Sequence, residues 1–587
     1  MRPSLMLVLL LGAAGLFACG GGSGGGGPTC TNTCPTAETT KCSGTQVQTC
    51  RAGSDGCLAW STAAACPNSG LCSSTANACV ADACGGIPEA GVCASSTSVS
   101  YCGVPTGEGT PRALTYSCVG GESCQVQSGR AQCILTSACR TGDSQCADAS
   151  TLRTCSGGNW TSSTCSSSCG TSTLGSFCRA PGALTTLTGT VLFQARMPNA
   201  GMTDWSATPV QYPAPLFLVI SQGAAGLYDA VYTSGASGSL GTFSIQVPQS
   251  PTAQDQVVVA AAADDGFGGL AFAVASPGLA SGQYDIGSIG TPALASWVWS
   301  TAGITNGQSL IITEGMGSAA ANVYFNLLVA YLTTYGQYNK VGPSLIAWVG
   351  PGATWTCGKC FAPMPTTVFG MPFASQLWLS GDLTDQSYWS DAVNEHEMGH
   401  WVMASYGVSP LEGGPHFLGK PTFPGQAWSE GWATWFSSQV RGDPHYFDKQ
   451  SGSFFWLDLS ADVYSSGSAL VPPVAALGLL QLLDENRVSA MLWSLSSSSA
   501  TAGDSMFQAL ASPRMTTPRA TRGYTRHQWA FDNAGNYINV VDTGQDAPSL
   551  PDFLDALDCA GFPRSAIDAA TTPATLYPYP SASPICN

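Results

Sequence analysis

Charge is scarce in this chain, and positive charge is the scarcer sign. Only 10% of its 587 residues are charged, and 20 Lys and Arg stand against 36 Asp and Glu, for a formal charge of −16. So acidic a surface repels phosphate backbones, which argues against nucleic acid as a partner. Histidine is rarer still, with five in all. Long apolar runs are missing as well. After Phe17 none reaches the ~18 residues that would suggest a membrane-crossing helix, so no second anchor is expected. Cysteine is absent from residues 184–291, so no cross-link can hold that stretch together and it must rely on an apolar core.

What is present in excess is cysteine elsewhere, 25 in total. That number implies an oxidising compartment. The N-terminus agrees, with Arg2 followed by an apolar stretch, Leu5 to Phe17, of signal-peptide length. It ends Leu16-Phe17-Ala18-Cys19, which resembles the bacterial lipobox. The resemblance implies a lipoprotein signal peptide over 1–18 and a lipid on Cys19 that holds the protein at a membrane. Gly20 follows rather than Asp, so the bacterial outer membrane or cell surface is the expected location. Residues 19–29, largely glycine, form a flexible tether.

Residues 30–180 hold 20 of the cysteines. Three sets of six recur: Cys34, Cys42, Cys50, Cys66, Cys72, Cys79; then Cys84, Cys93, Cys102, Cys118, Cys124, Cys133; then Cys139, Cys146, Cys155, Cys165, Cys169, Cys178. The phrases QVQTC, SVSYC and TLRTC each end on the third cysteine of a set. This is an internal repeat of a six-cysteine module. Each copy is too small for a full core and must be cross-linked. Six cysteines allow fifteen pairings, so the connectivity stays open. Cys30 and Cys57 are left over and are expected to pair with each other. Such modules can serve as a stalk or bind cell-surface glycan. An adhesin or carbohydrate-binding lipoprotein is therefore the alternative reading of the whole chain.

Residues 184–291 carry short β-rich runs separated by Gly, Pro and Ser, the pattern of an all-β sandwich. LTGTVLF and GTFSIQVP resemble transthyretin-like domains. Residues 293–587 form the last expected domain, opening with a helix over Ala319 to Tyr335. Cys357 and Cys360 are expected to form a local disulfide, and Cys559 to pair with Cys586.

The chemistry resides in SDAVNEHEMGHWVMASYG, residues 390–407. Asp391 to Ser405 reads as one helix stopped by Gly407. His396 and His400 lie four apart, so their imidazoles share a face and can share one zinc ion. Glu397 between them can act as general base on a metal-activated water. Zinc needs a third protein ligand. The metzincin pattern would supply a His at position 406, where Tyr406 stands, so that family is excluded. A second helix, AWSEGWATWFSSQV over 427–440, offers Glu430 instead, with Trp428, Trp432, Trp435 and Phe436 as its core face.

This arrangement resembles the gluzincin peptidases, in which H-E-x-x-H is followed by a helix bearing a metal-binding Glu. The resemblance implies an α+β zincin-like domain dominated by helices. It also implies a single catalytic zinc, protein or peptide substrates, His396, His400 and Glu430 as ligands, and Glu397 as base. Two departures stand out. Thr434 occupies the position where thermolysin-like enzymes carry an Asp that orients the first His, and no G-x-M-E-N segment exists to support aminopeptidase activity. In such enzymes an edge strand ahead of the first helix binds substrate, and Gln376 to Ser380 is either that strand or a plain core strand. An oxyanion donor is also required. Tyr464, Tyr524 and His527 are candidates, with Tyr524 and His527 preferred. His416 and His445 read as polar loop residues. Leu482 to Leu495 reads as a helix backing the site, with Glu485 either reaching inward or, as the preferred reading, solvated.

Overall fold

The structure is a computed structural model. It describes residues 33–579 outside 44–45, 54–55, 66–70, 74–77, 81–83, 85–86, 88–90, 104–111, 119–120, 128–129, 140, 173–174, 265–269, 411–415, 417–418, 421, 423, 466–483, 517–526, 532–536, 542–547 and 576–578, together with Pro584 and Cys586. The signal segment, Cys19, Cys30 and Tyr524 lie outside the described residues. The chain divides into two compact units, Met1–Ala81 and Asp82–Asn587. Among the described residues no helix is long and apolar enough to cross a membrane.

The first unit contains the first cysteine module. Strands Thr40–Ser43, Gln46–Ala52 and Leu58–Trp60 pair in sequence, and Leu71–Ser73 pairs with Ala78–Val80 as a separate hairpin. The second unit repeats that plan in the third module, with a meander of Ser144–Asp148, Thr151–Ser156 and Asn159–Thr164 followed by a hairpin of Cys169–Ser172 and Gly175–Cys178.

The disulfides follow one scheme. In the third module Cys139 bonds Cys155, Cys146 bonds Cys169 and Cys165 bonds Cys178. This is first to third, second to fifth, fourth to sixth. Cys93–Cys124 and Cys118–Cys133 obey it in the second module, and Cys34–Cys50 in the first. Fifth and sixth cysteines face each other across the hairpin, as Cys169 faces Cys178, yet each reaches back to the meander. The bridges thus staple the hairpin onto the meander where apolar burial is too small to do so. Cys57 is disulfide-bonded, while its expected partner lies outside the described residues. Cys357–Cys360 and Cys559–Cys586 form as expected.

Two four-stranded sheets follow in the second unit. One joins Val210–Pro213, Leu184–Ala195 and Thr242–Pro248, with Gln308–Ile312 added in parallel to the 184–195 strand. The other runs Gly226–Tyr232, Leu218–Gly223, Gln256–Ala260 and Ser296–Ser300. Alternate side chains such as Val191, Phe193, Phe243, Ile245, Val257 and Val259 are buried between them.

The boundary expected between 291 and 293 is crossed in both directions. Residues 296–300 and 308–312 complete the two sheets. Leu270–Ser276 instead pairs in parallel with Leu345–Val349, in a sheet that continues through Ser375–Leu379 to Cys360–Ala362. One apolar core runs from Leu187 to Tyr579 through both regions.

That sheet decides between the two readings of Gln376 to Ser380 in favour of a core strand. Ser375–Leu379 is paired on both sides, parallel to 345–349 and antiparallel to 360–362. Among the described residues Cys360–Ala362 ends the sheet on that side. All five residues of 375–379 are buried, as an interior strand with covered faces requires.

Four helices build and back the histidine-bearing region. They are α1 (Ser318–Tyr338), α2 (Asp391–Tyr406), α3 (Pro424–Arg441) and α4 (Glu485–Ser496). Each falls within a few residues of its expected span. Val488, Met491, Leu492 and Leu495 are fully buried on α4, as are the three tryptophans and Phe436 on α3.

Candidate metal centre

The N-terminus of α2 is set by Ser390. Its hydroxyl accepts the Val393 N–H at 3.1 Å and donates to the Phe447 carbonyl at 2.6 Å, so the cap also ties the helix to the strand His445–Gln450. Farther along, α2 is almost wholly buried. The N-terminal half of α2 is joined to the C-terminal end of α3 by Arg441, whose Nε lies 3.4 Å from the buried Glu395 carboxylate and 3.8 Å from Asp391.

Position 399 decides how close the two helices come. A Cβ there would sit 2.7 Å from the Ala433 Cα. Glycine allows α3 to lie directly on α2, so the short side chains between them meet. Helix propensity alone favours Gly399→Ala by about 1 kcal/mol. Overpacking against backbone costs roughly 1–3 kcal/mol and should win. Gly399→Ala is expected to lower the denaturation midpoint and to weaken metal retention, as chemical unfolding and metal analysis of the same preparation would show.

Across this contact His396 Nε2 lies 3.0 Å from Glu430 Oε2, His400 Nε2 lies 3.2 Å from the same oxygen, and the two Nε2 atoms are 3.2 Å apart. The edges of a tetrahedral shell with bonds of ~2.0–2.1 Å are roughly 3.3 Å, so the triangle has the size a zinc ion needs. The other ring nitrogens are already engaged. His396 Nδ1 is 3.0 Å from Thr434 Oγ1, and His400 Nδ1 is 3.0 Å from Ser429 Oγ. With the Nδ1 protons donated to these hydroxyls, both Nε2 lone pairs converge on one carboxylate oxygen, an arrangement that a cation would satisfy.

Electrostatics follow from this crowding. Burial acts to raise the Glu430 carboxyl, but the His400 and His416 imidazoles outweigh it and hold the group well below the usual carboxylate range. Glu397 is buried, and burial pushes its carboxyl up while His396 and His400 pull it back.

Three groups absent from the sequence-based site are also here. His416, in the loop before α3, has Nδ1 2.6 Å from Glu485 Oε2 and Nε2 3.9 Å from Glu430 Oε1. Burial would lower its pKa, but the Glu485 and Glu430 carboxylates raise it to about 10. Glu485, expected to be solvated, is turned inward from the first turn of α4. Tyr446, on the 445–450 strand, has its ring 5.7 Å from that of His396. Its phenol is pushed well up by burial and by nearby carboxylates, Glu397, Glu430 and Glu485 among them. The scarcity of histidine was the one available signal for His416. By contrast His445 bonds Asp443 at 2.7 Å on a half-exposed strand, away from the triangle.

Of the preferred oxyanion donors, Tyr524 lies outside the described residues and His527 begins the strand His527–Phe531. Tyr464 packs against Leu457, Leu459 and Ala490.

Two imidazoles from one helix and a carboxylate from the next form a group that could hold a metal ion. Residues 375–529, which include α2, α3 and α4, match the family model described as the mycolysin C-terminal domain. That match points to an extracellular zinc metallopeptidase, and the disulfides agree with an extracytoplasmic location. No curated protein matches the chain.

Proposed function

We propose that this chain is an extracytoplasmic zinc endopeptidase held at the cell surface through Cys19. The observation that carries the reading is the triangle of His396 Nε2, His400 Nε2 and Glu430 Oε2 with sides of 3.0–3.2 Å. These three groups would hold zinc, which when bound polarises the scissile carbonyl and acidifies a water. The remaining work belongs to side chains of this chain. Glu397, one residue after the first ligand, accepts the proton of the attacking water on its carboxylate and delivers it to the departing amine. His416 and Tyr446 flank the ligands and offer donors to the developing oxyanion, alongside the Tyr524 and His527 read from the sequence.

Purified protein should contain about one zinc per chain and hydrolyse casein. Chelator dialysis should abolish hydrolysis, and stoichiometric zinc should restore it. Hydrolysis that persists in metal-free protein would overturn the proposal.

A further inference from the structure

The two imidazoles share one requirement at Nδ1. To present a lone pair at Nε2, each must carry its proton on Nδ1, and a buried N–H needs an acceptor. In both cases the acceptor is a hydroxyl of α3. Thr434 serves His396 and Ser429 serves His400, each at 3.0 Å. Both hydroxyl residues are themselves buried, at 7% and 5% exposure. Neither contact is a matter of chance spacing. The helices run antiparallel, so Thr434 falls opposite His396, Ser429 falls opposite His400, and Glu430 lies between them.

We propose that Thr434 and Ser429 are the positioning residues of the metal centre, fixing the tautomer and ring orientation of both histidine ligands through neutral hydroxyl acceptors. This rests on the metallopeptidase reading above. Groups that hold a metal-binding histidine in this way typically govern metal affinity by ~10–100-fold. The hydroxyl, rather than mere bulk, is the acting group. Thr434→Val keeps the shape and removes the acceptor, while Thr434→Ser keeps the acceptor and removes a methyl group.

The test uses the full-length protein and zinc alone, with affinity read by competition against a chromophoric chelator. Thr434→Val and Ser429→Ala should each raise the zinc dissociation constant by ~10–100-fold, and Thr434→Ser should stay close to wild type. Circular dichroism and thermal unfolding of the metal-free forms separate loss of fold from loss of affinity. If Thr434→Val and Ser429→Ala, both folded, bind zinc as tightly as wild type, the proposal is overturned. Equal weakening in Thr434→Ser and Thr434→Val would overturn it too, since bulk and not the hydroxyl would then be the cause. Failure of the wild-type protein to bind zinc at all would instead remove the metallopeptidase reading on which it rests.

Discussion

Glu397→Gln is expected to leave the protein folded and zinc-loaded while lowering kcat for a quenched peptide substrate by ~10²–10⁴, the range that a positioned acid–base group supplies. The amide matches the carboxylate in size and keeps its place beside the ligands, but it cannot take a proton from water. Because Glu397 is not one of the three converging ligand groups, metal content should be unchanged. The two measurements must therefore separate, with zinc retained and turnover lost. Substantial turnover in a zinc-loaded variant would mean that the base is another group, and the nearby Glu485 carboxylate would be the first to examine.

Glu430→Ala should behave in the opposite way, losing metal first and activity as a consequence. Its Oε2 lies within 3.0–3.2 Å of both imidazoles, and without it the site retains two imidazole ligands and no carboxylate ligand. The loss in zinc affinity should exceed the ~10–100-fold expected for an outer partner of a ligand. Equilibrium dialysis against a zinc buffer reads this directly. A variant that holds zinc with wild-type affinity would show that the third ligand lies elsewhere, and the enzyme assignment would have to be rebuilt around it.

The two helices that carry these residues can be read from sequence because their signals are local. Asp391 and Gly407 bracket α2, the apolar stripe of tryptophans defines α3, and His396, Glu397 and His400 fall close together on the helix by periodicity alone. Pairing α2 with α3 through Glu430 needs only the knowledge that zinc wants a third ligand and that the following helix offers one.

What sequence does not reveal is tertiary. His416 lies in a loop with no periodicity, and its role depends on Glu485 arriving from a helix some seventy residues later. Tyr446 reaches the site from the strand after α3. The 375–379 strand carries Leu377, Trp378 and Leu379 in succession, and such a continuous apolar run is the mark of an interior parallel strand rather than of a substrate-binding edge. The parallel pairings of 270–276 with 345–349 and of 189–193 with 308–312 join segments remote in sequence. Such non-local contacts leave no trace in either segment alone, so a domain boundary placed by composition is cleaner than the one the fold makes.

The module bridges have one further effect. In residues 139–178 the loops closed by Cys139–Cys155, Cys146–Cys169 and Cys165–Cys178 overlap end to end. Every peptide bond of that stretch therefore lies inside at least one covalent ring, and a single nick anywhere within it leaves both fragments attached. A chain proposed to work as a protease among other secreted proteases thus carries, ahead of its enzymatic part, a segment that one cut cannot sever.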